Sequence, residues 1–226
     1  MTTASNDYIR AYLADRPVDL GRAALVIIDM QYATGSRQGA LGRKLRAEGS
    51  PVGDYRFDRI ERFVLPQTLR LREHFAARGR PVLHVTVGAA LPDASDAPVH
   101  MRKLFAELHN HVGSREHEIL DELQPRAGEH VLRKTTVGAF ASTGIDSLLR
   151  SLGADQLYLV GVSTNMCVES TAREAADRGY AVTLVEDACG TTHEELHHAT
   201  MRNFQRLFGR VRSTAEVLAE LEPEHV

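Results

Sequence analysis

The chain has 226 residues, 43% of them apolar and 25% charged, the balance of one globular domain with a sizeable core. Its formal net charge of -3, with basic residues scattered among acidic ones, argues against a nucleic-acid partner or an anionic membrane surface. No apolar run reaches the length of a membrane span, the first twenty residues hold no apolar leader segment, and two cysteines are too few for a disulfide scaffold; a reduced, cytoplasmic compartment is the expectation.

In chain order, AALVIIDM (23–30) is a continuous apolar run ending in an acid, which predicts a parallel strand buried on both faces. Residues 31–59, with Gly35, Gly39, Gly42, Gly49 and Gly53, read as a long flexible segment. The stretch 58–78 carries helical periodicity, with Pro66 as a boundary or kink and Gly79 as the stop. PVLHVTV (81–87) predicts the second strand. Residues 90–118 read as an insertion, and 115–123 as a short helix. HVLRKT (130–135) predicts the third strand, followed by a helix over 143–153 closed by Gly153. QLYLVGV (156–162) predicts the fourth strand, 167–180 a helix, AVTLVED (181–187) the fifth strand, and 194–208 a helix, with a short strand near Val211. This alternation implies an α/β fold: one domain, 1–226, built on a parallel sheet flanked by helices on both faces. Ligands of such sheets sit beyond the carboxyl ends of the strands.

Three reactive residue types gather on that rim. Asp29 closes the first strand, Lys134 lies at the end of the third, and Cys167 follows the fourth at the mouth of a helix. Lysine is a rare choice here, since the only others are Lys44 and Lys103. A thiol at a helix N-terminus feels the positive end of the dipole, which favours the thiolate, and Ser163 or Thr164 can cap that helix. Taken singly, Cys167 is also compatible with a small buried hydrophobe, Asp29 with a turn cap and Lys134 with a solvated rim charge. Together they form a chemically sensible set, in which the cation steadies thiolate and carboxylate and the carboxylate moves the proton.

AALVIIDMQ, KTTVGAF and LVGVSTNMCVESTAREAADRGYAVTLVEDACGT resemble the signature blocks of the isochorismatase-like cysteine hydrolases, in order and spacing, over residues 22–215. The resemblance implies a Rossmann-like sheet and a catalytic triad carried by Asp29, Lys134 and Cys167. It further implies a cis peptide bond at Val162–Ser163, an oxyanion hole from the backbone N–H groups of Ser163 and Cys167, and a homo-oligomer. The implied activity is cleavage of the C–N bond of a small amide or ureide through a thioester. The small-molecule substrate would meet Gln31, Tyr32, Phe140 and Met166 first. Hydrolysis of an enol ether and a non-catalytic binding role are the alternatives. The chain departs from the family in carrying Gly138 where a serine is frequent. It also lacks, in VTVGAALPDASD after His84, the histidine pattern with which nicotinamidases hold a metal. No metal and no organic cofactor are expected.

One competing motif is HEELH at 193–197, which places His193 and His197 on one helix face in the zinc-peptidase pattern. The sequence offers no third ligand for it. His109, His111 and His117 cluster in the 90–118 insertion, where most are expected to face solvent and a few to sit on a lid.

Overall fold

The computed structural model describes residues 8–12 and 17–220. Expectations for the extreme N-terminus and for the ends of the domain therefore lie partly outside the described residues. Six strands form one sheet: β1 (Ala23–Ile28), β2 (Val82–Val87), β3 (His130–Lys134), β4 (Gln156–Val162), β5 (Ala181–Gly190) and β6 (Arg210–Arg212). Their order is β3-β2-β1-β4-β5-β6 and every neighbouring pair is parallel. The chain order reverses between β1 and β4, so the crevice at their carboxyl ends is the switch point of the sheet.

Each predicted strand is present, and the pattern of burial explains why they were readable. All six residues of β1 are buried. Ala24, Val26 and Ile28 enter one core, with Ile145 and Leu149 of α6 (Ile145–Ser151), Ala172 and Ala175 of α7 (Glu169–Asp177), and Met201 and Phe204 of α8 (Glu194–Leu207). Ala23, Leu25 and Ile27 enter the other, with Phe57 of α3 (Pro51–Arg59), Leu71 and Phe75 of α4 (Leu65–Ala77), and Val217 of α9 (Thr214–Glu220). Full burial of each Leu, Ile or Phe stabilises by about 1.5–3 kcal/mol, so a strand apolar on both faces belongs at the centre. β3, at one edge, alternates half-buried and exposed positions until Lys134.

The segment 31–59 differs from the expectation of a flexible loop. It folds into α1 (Tyr32–Gly35), α2 (Ala40–Ala47) and α3. Gly39 and Gly42 permit close approach rather than flexibility: a Cβ on Gly39 would lie 1.6 Å from the Tyr32 carbonyl oxygen, and one on Gly42 2.2 Å from the Arg37 carbonyl oxygen. The helix expected from residue 58 begins earlier, in α3, and passes through a π-helical turn, Ile60–Val64, before α4. Pro66 supplies the cause, because its ring cannot donate a backbone hydrogen bond and crowds the preceding turn. The 90–118 insertion contains α5 (Val99–Glu107), which packs Met101 and Phe105 on Val87, Ala89, Ala94 and Ala97 as a small satellite core. Residues 115–123 form two short 3-10 turns instead of one helix.

A buried ionic clamp fixes the edge strand. Arg72 of α4 forks onto Glu129, at 2.8 and 2.7 Å, and the same carboxylate meets His84 of β2 at 2.9 Å and the Arg126 N–H at 3.0 Å. Burial opposes the Glu129 charge, but the Arg72 fork, the Arg126 amide and His84 prevail and hold its carboxyl down at about 2. The residue after Glu129 opens β3, so the clamp sets the register from which Lys134 projects.

Gly161 is the backbone requirement that brings β4 against β1 near the rim. Its φ is +111°, and a Cβ there would lie 2.1 Å from the Ile28 carbonyl oxygen. Gly161→Ala should destabilise the protein by at least about 2 kcal/mol, from left-handed backbone strain and the steric clash together. The measurement is the midpoint of urea unfolding; an unchanged midpoint would remove Gly161 from this role.

Candidate active site

The carboxyl ends of β1, β3 and β4 bring together the three residues that the sequence singled out. Asp29 follows β1 with φ +51°, a left-handed conformation uncommon for a residue other than glycine. It is 2% exposed, and its N–H donates to the Val85 carbonyl at 2.8 Å. Lys134 ends β3, two strands away, a lateral separation of about 9.5 Å between strand axes. Its fully buried side chain spans that gap: Nζ donates to Asp29 Oδ2 at 3.0 Å and to the Thr136 carbonyl at 3.1 Å. Asp29 Oδ1 is buried and accepts no well-aligned hydrogen bond among the described residues. The partly exposed thiol of Cys167 lies within interaction range of both Asp29 and Lys134.

Cys167 sits inside a π-helical turn, Thr164–Val168, that runs into α7. The Ser163 carbonyl anchors this turn by accepting from the Met166 and Val168 N–H groups at 3.0 and 3.2 Å. The Val162–Ser163 peptide bond is cis. Neither Ser163 nor Thr164 caps the turn as expected. Stronger donors divert both hydroxyls: Ser163 Oγ accepts from Arg56 Nη1 at 2.8 Å, and Thr164 Oγ1 pairs with His197 Nδ1 at 3.0 Å.

The charges form one coupled unit. Burial, then the charge of Asp29, pushes the Cys167 thiol up to about 12, with Lys134 opposing. Burial also raises Asp29, against the pull of Lys134. Burial works against the Lys134 charge, but Asp29 and Cys167 outweigh it and keep the ammonium charged. Desolvation and the adjacent carboxylate thus outweigh the pull of the helix terminus that favours the thiolate. Burial raises both Asp29 and Cys167, and the two interact, so a proton passing between them is the accessible change of charge in the site. That proton can pass from sulfur to carboxylate once a carbonyl carbon is there to attack.

The proposed substrate contacts separate into those at the mouth and those elsewhere. Met166, beside Cys167, is 57% exposed. Tyr32 is half-buried in α1, with the Arg115 guanidinium 3.8 Å from its ring centre. Gln31 is fully buried and its amide is engaged: Nε2 donates to the Val87 and His117 carbonyls at 3.1 and 2.8 Å, and Oε1 accepts from the Val87 N–H at 2.7 Å. Phe140 is not brought to the rim. It packs with Tyr180 and beneath Arg178, beyond the far end of α7, as part of the core. His117 is not solvent-facing either; its Nδ1 lies 3.2 Å from Gln31 Nε2 and 3.1 Å from Asn110 Oδ1, tying the insertion to the rim.

Gly138 has a specific occupant for the space of its missing side chain. A Cβ there would lie 2.4 Å from the Glu174 carboxylate, whose Oε2 accepts the Phe140 N–H at 2.8 Å. Thr171 Oγ1 accepts the Ala139 N–H at 3.2 Å, so α7 carries both the nucleophile turn and the brace for the loop after Lys134.

The HEELH histidines are engaged locally. His197 Nε2 accepts from Arg59 Nη2 at 2.9 Å, while its other ring nitrogen faces Thr164. Burial, then Arg59 and His198, holds His197 down at about 3, so it stays neutral as a brace behind the nucleophile turn. His193 Nδ1 pairs with the Thr192 hydroxyl. Sequence reasoning passed over Arg56 and Arg59. The readable signal was Arg56, Ile60 and Val64 at i, i+4 and i+8, which puts Arg56 on the buried stripe of its helix.

The isochorismatase domain profile matches residues 23–216, and the chain belongs to that family. The ureidoacrylate amidohydrolase RutB of Pantoea ananatis is 29% identical over 221 residues, covering 90% of this chain and 85% of the relative. The same-named enzyme of Caulobacter segnis is 30% identical over 210 residues, 88% and 86% of the two chains. Among solved structures, a cysteine hydrolase from Pseudomonas syringae shares the fold with a TM-score of 0.78 at 22% identity, over 92% and 96% of the chains. N-carbamoylsarcosine amidase from Thermoplasma acidophilum gives 0.66 at 26% identity, over 85% and 96%.

The Asp29–Lys134 pair yields a stability test. Lys134→Met strands a buried carboxylate and should cost about 3–5 kcal/mol. Combining it with Asp29→Asn should restore part of that loss, a coupling of at least about 1 kcal/mol in a double-mutant cycle by chemical unfolding. Additive losses would show that the two side chains do not act as a pair.

Proposed function

We propose that this amidohydrolase of the isochorismatase family cleaves the C–N bond of a small linear amide or ureide through a thioester on Cys167. The observation that carries the reading is the buried Asp29–Lys134 pair beside a thiol, with one carboxylate oxygen free to take a proton. Asp29 takes the Cys167 proton as the sulfur attacks the carbonyl carbon. The oxyanion of the tetrahedral intermediate meets the N–H groups of Ser163 and Cys167. Asp29 returns the proton to the leaving nitrogen, the C–N bond breaks, and ammonia or an amine departs. Water, deprotonated by Asp29, then attacks the thioester, releasing the acid and regenerating the thiol. Lys134 holds Asp29 in place throughout and stabilises its carboxylate each time the proton leaves it.

The relatives named for a ureidoacrylate and for N-carbamoylsarcosine support a carbamoyl-nitrogen substrate. Such a compact molecule buries little apolar area and is held by hydrogen bonds, so a ligand lacking the matching donor is rejected strongly. The protein acts, on this reading, as a cytoplasmic homo-oligomer with no resident metal or organic cofactor.

Cys167→Ala should abolish ammonia release from ureides with the fold intact, whereas Cys189→Ala, at a fully buried position against the Leu159 carbonyl, should retain most activity. Equal losses in the two variants would overturn the nucleophile assignment. Prolonged chelation should leave turnover unchanged; a loss restored by zinc would overturn the metal-free reading. The ratio of kcat/KM for biuret or a carbamoyl amino acid to that for nicotinamide should exceed one. A ratio below one would keep the chemistry and move the substrate to aromatic amides.

A further inference from the structure

The thioester reading leaves one buried cation without a role. Arg56 is 2% exposed in the middle of α3. Its Nε and Nη2 donate to the Thr34 carbonyl at 3.0 and 2.8 Å, and its Nη1 donates to Ser163 Oγ at 2.8 Å. The acidic groups that act on it are Cys167 and Asp29. Burial lowers the guanidinium to about 10, which leaves it charged at neutral pH.

Two neutral oxygens are a poor return for desolvating a guanidinium. Asp29, the nearby carboxylate, is already paired with Lys134. With Cys167 as a thiol, Asp29, Lys134 and Arg56 leave the cluster one positive charge in surplus. Passing the Cys167 proton to Asp29 leaves this total unchanged but moves the negative charge from the carboxylate paired with Lys134 to the sulfur and then to the oxyanion, and Cys167 acts on Arg56 more strongly than Asp29 does. The placement matches this need: Thr34 lies in the turn after β1 and Ser163 in the turn after β4, so Arg56 is a strut across the switch point of the sheet.

We propose that Arg56 is a positioning residue of the hydrolytic site, fixing Ser163 so that its N–H faces the developing oxyanion and holding a positive charge in reserve for the thiolate and the oxyanion. The proposal rests on the thioester reading above. Arg56 does not itself touch the substrate; it acts through Ser163 and through its field. The two effects are separable, because the hydroxyl contact can be removed while the charge stays.

The test uses full-length wild type, Arg56→Met, Arg56→Lys and Ser163→Ala, each checked for folding by circular dichroism and thermal melting. Readouts are ammonia release from a ureide and the pH profile of Cys167 alkylation by iodoacetamide. Arg56→Met should lower kcat on the order of 100-fold, the scale of one lost oxyanion-hole donor, with KM within about threefold. Its alkylation midpoint should rise by about one pH unit. Arg56→Lys should keep the wild-type midpoint and recover part of kcat, since the charge remains and the fork is lost. Ser163→Ala, which retains the backbone N–H, should lower kcat about tenfold without moving the midpoint. Wild-type kcat and an unmoved midpoint in Arg56→Met, with only a lower melting temperature, would reduce Arg56 to a structural brace and overturn the proposal. If Arg56→Met does not fold, wild-type kcat in Ser163→Ala together with a shifted midpoint in Arg56→Lys overturns it. Absence of ammonia release from any ureide or amide by the wild type would sink the thioester reading instead, and the alkylation profiles would still decide whether Arg56 holds the charge near Cys167.

Discussion

A lysine ammonium and an aspartate carboxylate meet inside this protein, out of contact with water, and much of the architecture serves that meeting. Taking both charges from water is expensive, and only close geometry with further hydrogen bonds repays it. Lys134 must arrive from the edge strand across β2, so β3 has to be held in register. The Arg72–Glu129–His84 clamp does this from below, and the Thr136 carbonyl takes up a further ammonium hydrogen from above. Asp29 adopts its left-handed backbone because β1 must turn there for the carboxylate to meet both lysine and thiol.

The same desolvation sets the character of the nucleophile. A surface cysteine at a helix mouth would lose its proton easily, whereas burial beside a carboxylate keeps this one protonated. Reactivity then depends on what enters the site rather than on the resting thiol, a sensible arrangement for a group that would otherwise be open to oxidants. Arg56 and Lys134 place two positive charges around Asp29 and Cys167, so the cluster can hold negative charge on either group.

How far the sequence could be read depended on whether a residue's local context matched its structural job. Strands such as AALVIIDM and QLYLVGV are apolar because they are buried on both faces, so their positions were plain. Asp29, Lys134 and Cys167 were plain for the related reason that a charge or thiol at the end of a buried strand marks the rim. The 31–59 segment misled because its glycines resemble loop punctuation, although Gly39 and Gly42 serve tight helix contacts. Arg56 lay in the 31–59 segment read as flexible, and only its spacing from Ile60 and Val64 pointed to burial. The resemblance placed Phe140 at the pocket wall, yet the loop turns its ring into the core against Tyr180. Backbone direction within a loop is not encoded in any periodicity, and it decided that case.

The space beside Gly138 has an evolutionary corollary. Because the Glu174 carboxylate fills it and braces the Phe140 amide, the two positions cannot drift independently. A serine acquired at 138 would collide with the glutamate, while shortening residue 174 first would leave the amide without its acceptor and open a small void. A side chain at 138 therefore goes with a displaced or shortened residue 174, and in that arrangement the Phe140 amide needs another acceptor.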